Sequence, residues 1–392
     1  MHLLSSIPIS ITVPMQIHRI LVAATATALA SASALAADLT VYGVVNTGLS
    51  YTHAETSVSE STDTFELDSG NYLGNRFGLK GEETISPDLK AGFILENGFS
   101  ADTGSLSDGG RMFGREASLY LTNETFGTLR FGRLTVMTAS TGSSGLMAGK
   151  FSALSTGWGV VWGHNAVFTG KFGRMDNMIM YSSPKFAGLQ LHAQYSSGID
   201  QATEKTVEEN SGSSTRYMGL GLQYFNGPFS TIEVVDSHRY ADTSEDPGVT
   251  ANGSVAYDFG VAKFFLTGQY FRDMRYLGKA AVDAEVSAAN VFGNNVAKDG
   301  FALNVGATAP VAGGKLYGAI GWMDAENAKN SDASMRRLTL SAGYDFNLSK
   351  RTVVYAGAGY MLDMYDEFGT NVRASNDDAA KYGVTFGLSH RF

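Results

Sequence analysis

Three features of the chain predict an all-β fold, specifically a transmembrane antiparallel β-barrel of sixteen strands. Apolar and polar residues alternate with period two along short segments, and tight turns alternate with long polar loops between those segments. Beyond the N-terminal region, no apolar run approaches the roughly 20 residues that a membrane helix needs. Composition agrees with this: 392 residues include 46 Gly and 18 Tyr, no Cys, and only 17% charged residues. Glycine weakens helix interiors, whereas aromatic residues suit a pleated, half-buried surface. An exported chain without Cys has no disulfides to hold it, and a large sheet that closes on itself has no exposed edges.

The N-terminal region reads as a leader. From Met15 the sequence runs MQIHRILVAATATALASASALAADL: His18 and Arg19, an apolar stretch from Ile20, then Ala34-Leu35-Ala36. That is the basic segment, short apolar segment and A-x-A site of a secretory signal peptide. The stretch is too short and too rich in Ser and Thr for a membrane span. Residues 1–36 are therefore expected to be cleaved, leaving 37–392 as the barrel; the first fourteen residues add nothing to a layout that begins at Met15.

Sixteen strand candidates fall near residues 38–51, 72–84, 88–98, 111–123, 127–134, 174–183, 187–197, 215–226, 229–239, 251–259, 260–272, 300–309, 314–323, 335–347, 351–362 and 380–392. The tight connections carry turn chemistry, as in Ser86-Pro87-Asp88, Asn226-Gly227-Pro228, Pro310-Val311-Ala312-Gly313-Gly314 and Asn347-Leu348-Ser349-Lys350. The long ones span 52–71, 99–110, 135–173, 198–214, 240–250, 273–299, 324–334 and 363–379. Strict alternation of the two kinds sorts them onto opposite rims, short periplasmic turns on one and long extracellular loops on the other. An even number of strands puts both termini on the short-turn rim.

The strand faces support the same fold. In the last strand Tyr382, Val384, Phe386, Leu388 and Phe392 share one parity, and Gly383, Thr385, Gly387, Ser389 and Arg391 share the other. In the second, Phe77 and Leu79 point one way and Arg76, Lys80 and Glu82 the other. A dry outer face backed by a polar inner face is the pattern of a barrel with lipid outside and water inside.

Other function classes find little support. A net charge of −9 does not suit a nucleic-acid binder. The histidines expected in the mature chain (His53, His164, His192, His238 and His390) are scattered, without metal-ligand spacing, and no G-x-S-x-G or Walker pattern occurs. Neither catalysis nor a metal or other cofactor is predicted.

Several consecutive motifs carry a family resemblance: ADLTVYGVVNTGLSY (37–51), NRFGLKGEETISPDLKAGFILENGF (75–99), GGRMFGREASLYLTNETFGTLRFGR (109–133), RMDNMIMYSSPKFAGL (174–189) and GLSHRF (387–392). Together they resemble the sixteen-stranded general porins of Gram-negative bacteria, in particular the betaproteobacterial type, along the whole mature chain. The resemblance implies an outer-membrane location, passive diffusion of ions and small hydrophilic solutes, and a homotrimer surrounded by outer-membrane lipid and lipopolysaccharide. It also implies that Tyr382, Val384, Phe386, Leu388 and Phe392 form the signal read by the barrel-assembly machinery.

The resemblance further implies that the third loop, 135–173, folds into the lumen as a constriction. This loop is long for a structureless link, and from Leu134 to Gly173 it contains no Asp or Glu, although similar porins commonly place carboxylates there. It offers Lys150, Lys171, Trp158, Trp162 and His164. Inner parity and the resemblance nominate Arg76, Lys80, Glu96, Arg111, Arg115, Arg130, Arg133, Lys150 and Arg174 as pore-lining residues, while rim pairs with Glu82, Glu96 or Glu116 are the plainer role for some of them. Met180 stands where similar porins often carry an Arg, with Met178 also on inner parity, so part of the basic ladder is expected to be absent. Basic walls without an opposing acidic loop favour anions or leave selectivity weak. An acidic mouth of Glu55, Glu60, Asp63, Glu66, Asp68, Glu204, Glu208, Glu209, Asp363, Asp366 and Glu367 argues for cations, but screening over about 8 Å weakens it at the constriction. Trp158 and Trp162 are expected to anchor the loop, with stacking on a specific solute as the other reading. A substrate-specific channel and an adhesin or structural anchor remain the alternative functions.

Overall fold

The computed structural model describes residues 38–56, 61–155, 157–170, 173–200, 208–241, 246–277, 296–366 and 378–392. The expected leader, Glu60, Lys171, Glu204 and Glu367 lie outside them. Among the described residues, seventeen strands form one antiparallel sheet. They are β1 (Thr40–Thr56), β2 (Thr62–Ser69), β3 (Arg76–Ser86), β4 (Leu89–Gly98), β5 (Glu116–Asn123), β6 (Gly127–Thr135), β7 (Arg174–Ser182), β8 (Leu189–Ser196) and β9 (Arg216–Asn226). There follow β10 (Phe229–Arg239), β11 (Gly248–Asp258), β12 (Lys263–Met274), β13 (Lys298–Val311), β14 (Gly314–Asn327), β15 (Asn330–Asn347), β16 (Thr352–Asp366) and β17 (Ala379–Arg391). β17 pairs with β1 from Val44↔Arg391 to Thr56↔Ala379, and this closes the barrel.

Seventeen strands make sixteen staves, because β2 and β3 are two pieces of one. β2 pairs with the upper half of β1, Ala54↔Thr62 to Thr47↔Ser69, and β3 pairs with its lower half, Val44↔Arg76 to Thr40↔Lys80. The loop expected over 52–71 is thus largely strand. Phe65 and Leu67 are exposed on the outer face while Asp68 bonds to the inward Ser50; the period-two signal was present but diluted by its polar content. Two other boundaries move. The strand expected from 111 begins at Glu116, because a 3-10 turn at Asp108–Gly110, with Gly109 and Gly110 at φ of 73° and 77°, takes the chain off the ladder. The loop expected over 324–334 is a hairpin instead: the strands run to Asn327 and resume at Asn330, and the Asn327 side chain accepts the Lys329 N–H at 2.9 Å.

The faces sort as an inverted protein. Along β17 the outward Tyr382, Val384, Phe386 and Leu388 are exposed, and the alternating Gly383, Thr385, Gly387 and Ser389 are buried. Large apolar side chains such as Leu220, Leu266, Ile320 and Leu340 cover the outside, where lipid replaces a protein core. Gln194, Gln223, Asn252, Thr267, Gln269 and Thr339 are buried on the inside. The buried apolar clusters also lie in the lumen, and their common partner is the third loop.

Candidate functional site: the lumen and its third loop

The third loop leaves β6 and returns at β7, and between them it lies along the inner wall. Its first part sets Val136, Met137, Met147 and Phe151 against Met178, Met180, Tyr217, Ile232, Val234 and Phe265. Phe151 closes α1 (Ala148–Phe151). Further on, Leu154, Trp158 and Val161 pack against Ala319 and Tyr355, and Trp162, Val167 and Phe168 pack against Phe271, Met323, Met335 and Met361. The inner methionines that displace part of the basic ladder thus form the seat of the loop. Methionine suits such a surface because its unbranched chain fills irregular gaps.

Side chains of the wall also bind the loop backbone. Gln194 Oε1 accepts the Met137 N–H at 3.0 Å and its Nε2 donates to the Thr135 carbonyl at 3.0 Å. Gln269 clamps Thr169 in the same way, at 2.6 and 2.8 Å. Ser341 accepts the Trp162 N–H at 2.8 Å, and Glu116 accepts the Ser143 N–H at 2.9 Å. Arg337, fully buried, forms a bidentate pair with Asp363 at 2.6 and 2.8 Å and donates its remaining arm to the Ala166 carbonyl at 2.8 Å. A loop rich in Gly and Ser is therefore held at many points. Close approach also requires glycine on the wall: a Cβ on Gly343 would lie 2.4 Å from the Trp158 ring, and one on Gly359 2.0 Å from the Val160 carbonyl oxygen.

Trp158 and Trp162 are 4% and 5% exposed. Trp158 makes edge-on contacts of 4.9 Å with both Tyr72 and Tyr317. Both indoles are therefore packed against the wall, and Trp158 also borders the cavity described next. Tyr72 comes from an inward excursion at 70–75 between β2 and β3, which sequence reasoning missed although Gly70 and Gly74 bracket it. Its hydroxyl donates to Asp345 at 2.7 Å, sharing that carboxylate with Tyr317 at 2.5 Å.

Between the excursion, the loop and the far wall lies a cavity of about 1060 Å³. Its wall carries Arg76, Arg115, Lys150, Arg174, Lys263 and Lys315, and no Asp or Glu among the described residues. Arg76 and Arg115 share Glu96, at 3.9 and 2.7 Å, and Arg174 lies 3.7 Å from Asp108. Burial, and then the nearby Lys185, hold the Lys150 ammonium below the usual lysine value. Lys263 and Lys315, which the sequence reading did not single out, sit at strand starts just after tight turns, on inner parity. The remaining nominated residues lie off this cavity. Arg111 pairs with Asp200 at 2.6 Å and with Asp176, Arg133 pairs with Asp176, and Arg130 pairs with Glu116 at 3.7 Å. Glu96 stands behind the arginines, and Lys80 lies over the Tyr42 ring at 5.6 Å. Two members of the expected acidic mouth are engaged elsewhere: Asp363 is buried with Arg337, and Asp68 bonds to Ser50 and Asn71.

A closed barrel, apolar outside and polar within, narrowed by a loop fastened to its inner wall, defines a membrane channel. The chain belongs to the Gram-negative porin family, whose model matches residues 23–364. It is 29% identical over 400 residues to an outer membrane porin protein of Bordetella pertussis, covering 95% of this chain and 99% of that one. It is likewise 29% identical over 385 residues to outer membrane porin protein 32 of Delftia acidovorans, covering 93% and 97%. Among solved structures, the anion-selective porin from Comamonas acidovorans shares the fold at a TM-score of 0.66 and 23% identity, covering 91% of this chain and all of that one. The protein is an outer-membrane porin, a water-filled channel for passive diffusion of small hydrophilic solutes and ions.

Proposed function

We propose that the channel prefers anions. The carrying observation is the cavity wall, lined by Arg76, Arg115, Lys150, Arg174, Lys263 and Lys315 and by no carboxylate among the described residues. Fixed charge of one sign on low-dielectric walls concentrates counter-ions, here anions. Glu96 and Asp108 offset part of this charge from behind the arginines. Acidic residues at the outer rim are screened over a Debye length of about 8 Å at physiological salt and count for less. The test is the reversal potential of the refolded chain, residues 37–392, in a planar bilayer under a KCl gradient. Chloride preference is expected, and a potassium-selective potential would overturn the reading.

We also infer that the mature protein starts at Ala37 and assembles as a homotrimer in lipid and lipopolysaccharide. The outward face where Ala342, Ala356 and Ala358 lie among Leu316, Tyr344 and Phe386 supports close packing of copies. The exposed Tyr382, Val384, Phe386, Leu388 and Phe392 suit a signal read by the assembly machinery. Cross-linking of the protein extracted in mild detergent tests the trimer, and an exclusively monomeric species would refute it.

A further inference from the structure

The wall opposite the arginines carries a different chemistry. Arg76, Arg115 and Arg174 belong to the second, fourth and sixth staves, at β3, the start of β5, and β7. Lys263 and Phe265 on β12 and Lys315 and Tyr317 on β14 occupy the eleventh and thirteenth, across the barrel from the arginines, and Phe225 on β9, the eighth, flanks them two staves beyond Arg174. Each ring there has a lysine ammonium over it: Lys185 lies 5.8 Å from the Phe225 centroid, Lys263 5.3 Å from Phe265 and Lys315 5.6 Å from Tyr317. None of these three lysines forms an ion pair with a described residue. Phe225 is 37% exposed although it faces inward, so an apolar ring reaches the water of the cavity. An ammonium held beside an aromatic face offers two adjacent contacts, one for a negative charge and one for a flat apolar surface.

We propose that this lysine–aromatic wall makes the cavity a binding site for aromatic carboxylates, which dwell there longer than aliphatic or inorganic anions of equal charge. The carboxylate meets Lys263 or Lys315, and the ring lies against the exposed Phe225, with the half-buried Tyr317 beside Lys315. The inference rests on the anion preference proposed above. A ring contact of about 1 kcal/mol corresponds to about a fivefold gain in affinity.

The experiment records the chloride current of the refolded chain while benzoate, acetate or benzyl alcohol is added at constant ionic strength. Benzoate is expected to reduce the current with a half-effect at about fivefold lower concentration than acetate, and benzyl alcohol to act more weakly than benzoate. In Phe225→Ser the ratio of benzoate to acetate half-effects should approach unity, and in Lys263→Gln benzoate itself should weaken. Equal effects of benzoate and acetate on a chloride-preferring channel would overturn this inference alone. A benzoate effect unchanged in both variants, or matched by benzyl alcohol, would overturn it too. Loss of chloride preference in the unmodified channel would instead overturn the anion reading beneath it.

Discussion

Removing the carboxylate of Asp363 tests whether the third loop is fastened as described. Arg337 and Asp363 are both fully buried, and the guanidinium holds the carboxylate with two arms and the Ala166 carbonyl with a third. In Asp363→Ala the two charge-assisted bonds vanish and the guanidinium stays buried without its counter-charge, which costs about 3–5 kcal/mol. Replacing both partners, in Arg337→Met with Asp363→Leu, removes the stranded charge. What remains is the unsatisfied Ala166 carbonyl, about 1–3 kcal/mol, together with the loss of the Tyr365 hydroxyl's acceptor, which both variants share. The double variant is thus expected to be more stable than Asp363→Ala. Urea unfolding of the refolded barrel in vesicles, followed by tryptophan fluorescence, is suited to this because two of the three Trp, Trp158 and Trp162, lie in the loop. A loss below about 1 kcal/mol in Asp363→Ala, or a double variant no better than the single, would refute the argument.

Other consequences follow from the same geometry. Gly359→Ala puts a Cβ against the Val160 carbonyl, so it should destabilise the barrel by about 1–3 kcal/mol and change the single-channel conductance; unchanged values for both would count against a tightly seated loop. Arg115→Gln removes a cavity cation and the nearer of the two arginines that offset Glu96, so the chloride-to-potassium permeability ratio should fall by about twofold in a reversal-potential measurement. Burial pushes His164 down to about 3, so the native protein stays neutral there while the unfolded chain binds a proton below the ordinary histidine value. Its contribution is therefore present above about pH 6.5 and is lost as pH falls toward about 3, by about 1.4 kcal/mol per pH unit. Urea unfolding between those limits should show a shallower pH dependence in His164→Gln.

Strand number, rim assignment and facing were legible in the chain because they depend on local periodicity. A period-two pattern such as 382–388 states which side is apolar, and connection length states which rim a link occupies. Where polar residues diluted the pattern, as at Thr62–Ser69 with only Phe65 and Leu67 on its outer face, the strand was missed and pairing with β1 decides it. The candidate site divides in the same way. The absence of acid from the third loop and the inward parity of Arg76 could be read directly, and Met178 and Met180 were visible as gaps in a basic ladder. That those methionines are the seat of the loop, that Trp158 is closed in by Tyr72 and Tyr317, and that Arg111 and Arg133 are consumed by Asp176 depend on residues distant in sequence. Lys263 and Lys315 join Arg76 around one cavity only because the sheet closes, bringing staves two, eleven and thirteen to face the same water. Closure is a global property, and so the alternation along each strand belonged to the chain while the company each inward charge keeps belonged to the barrel.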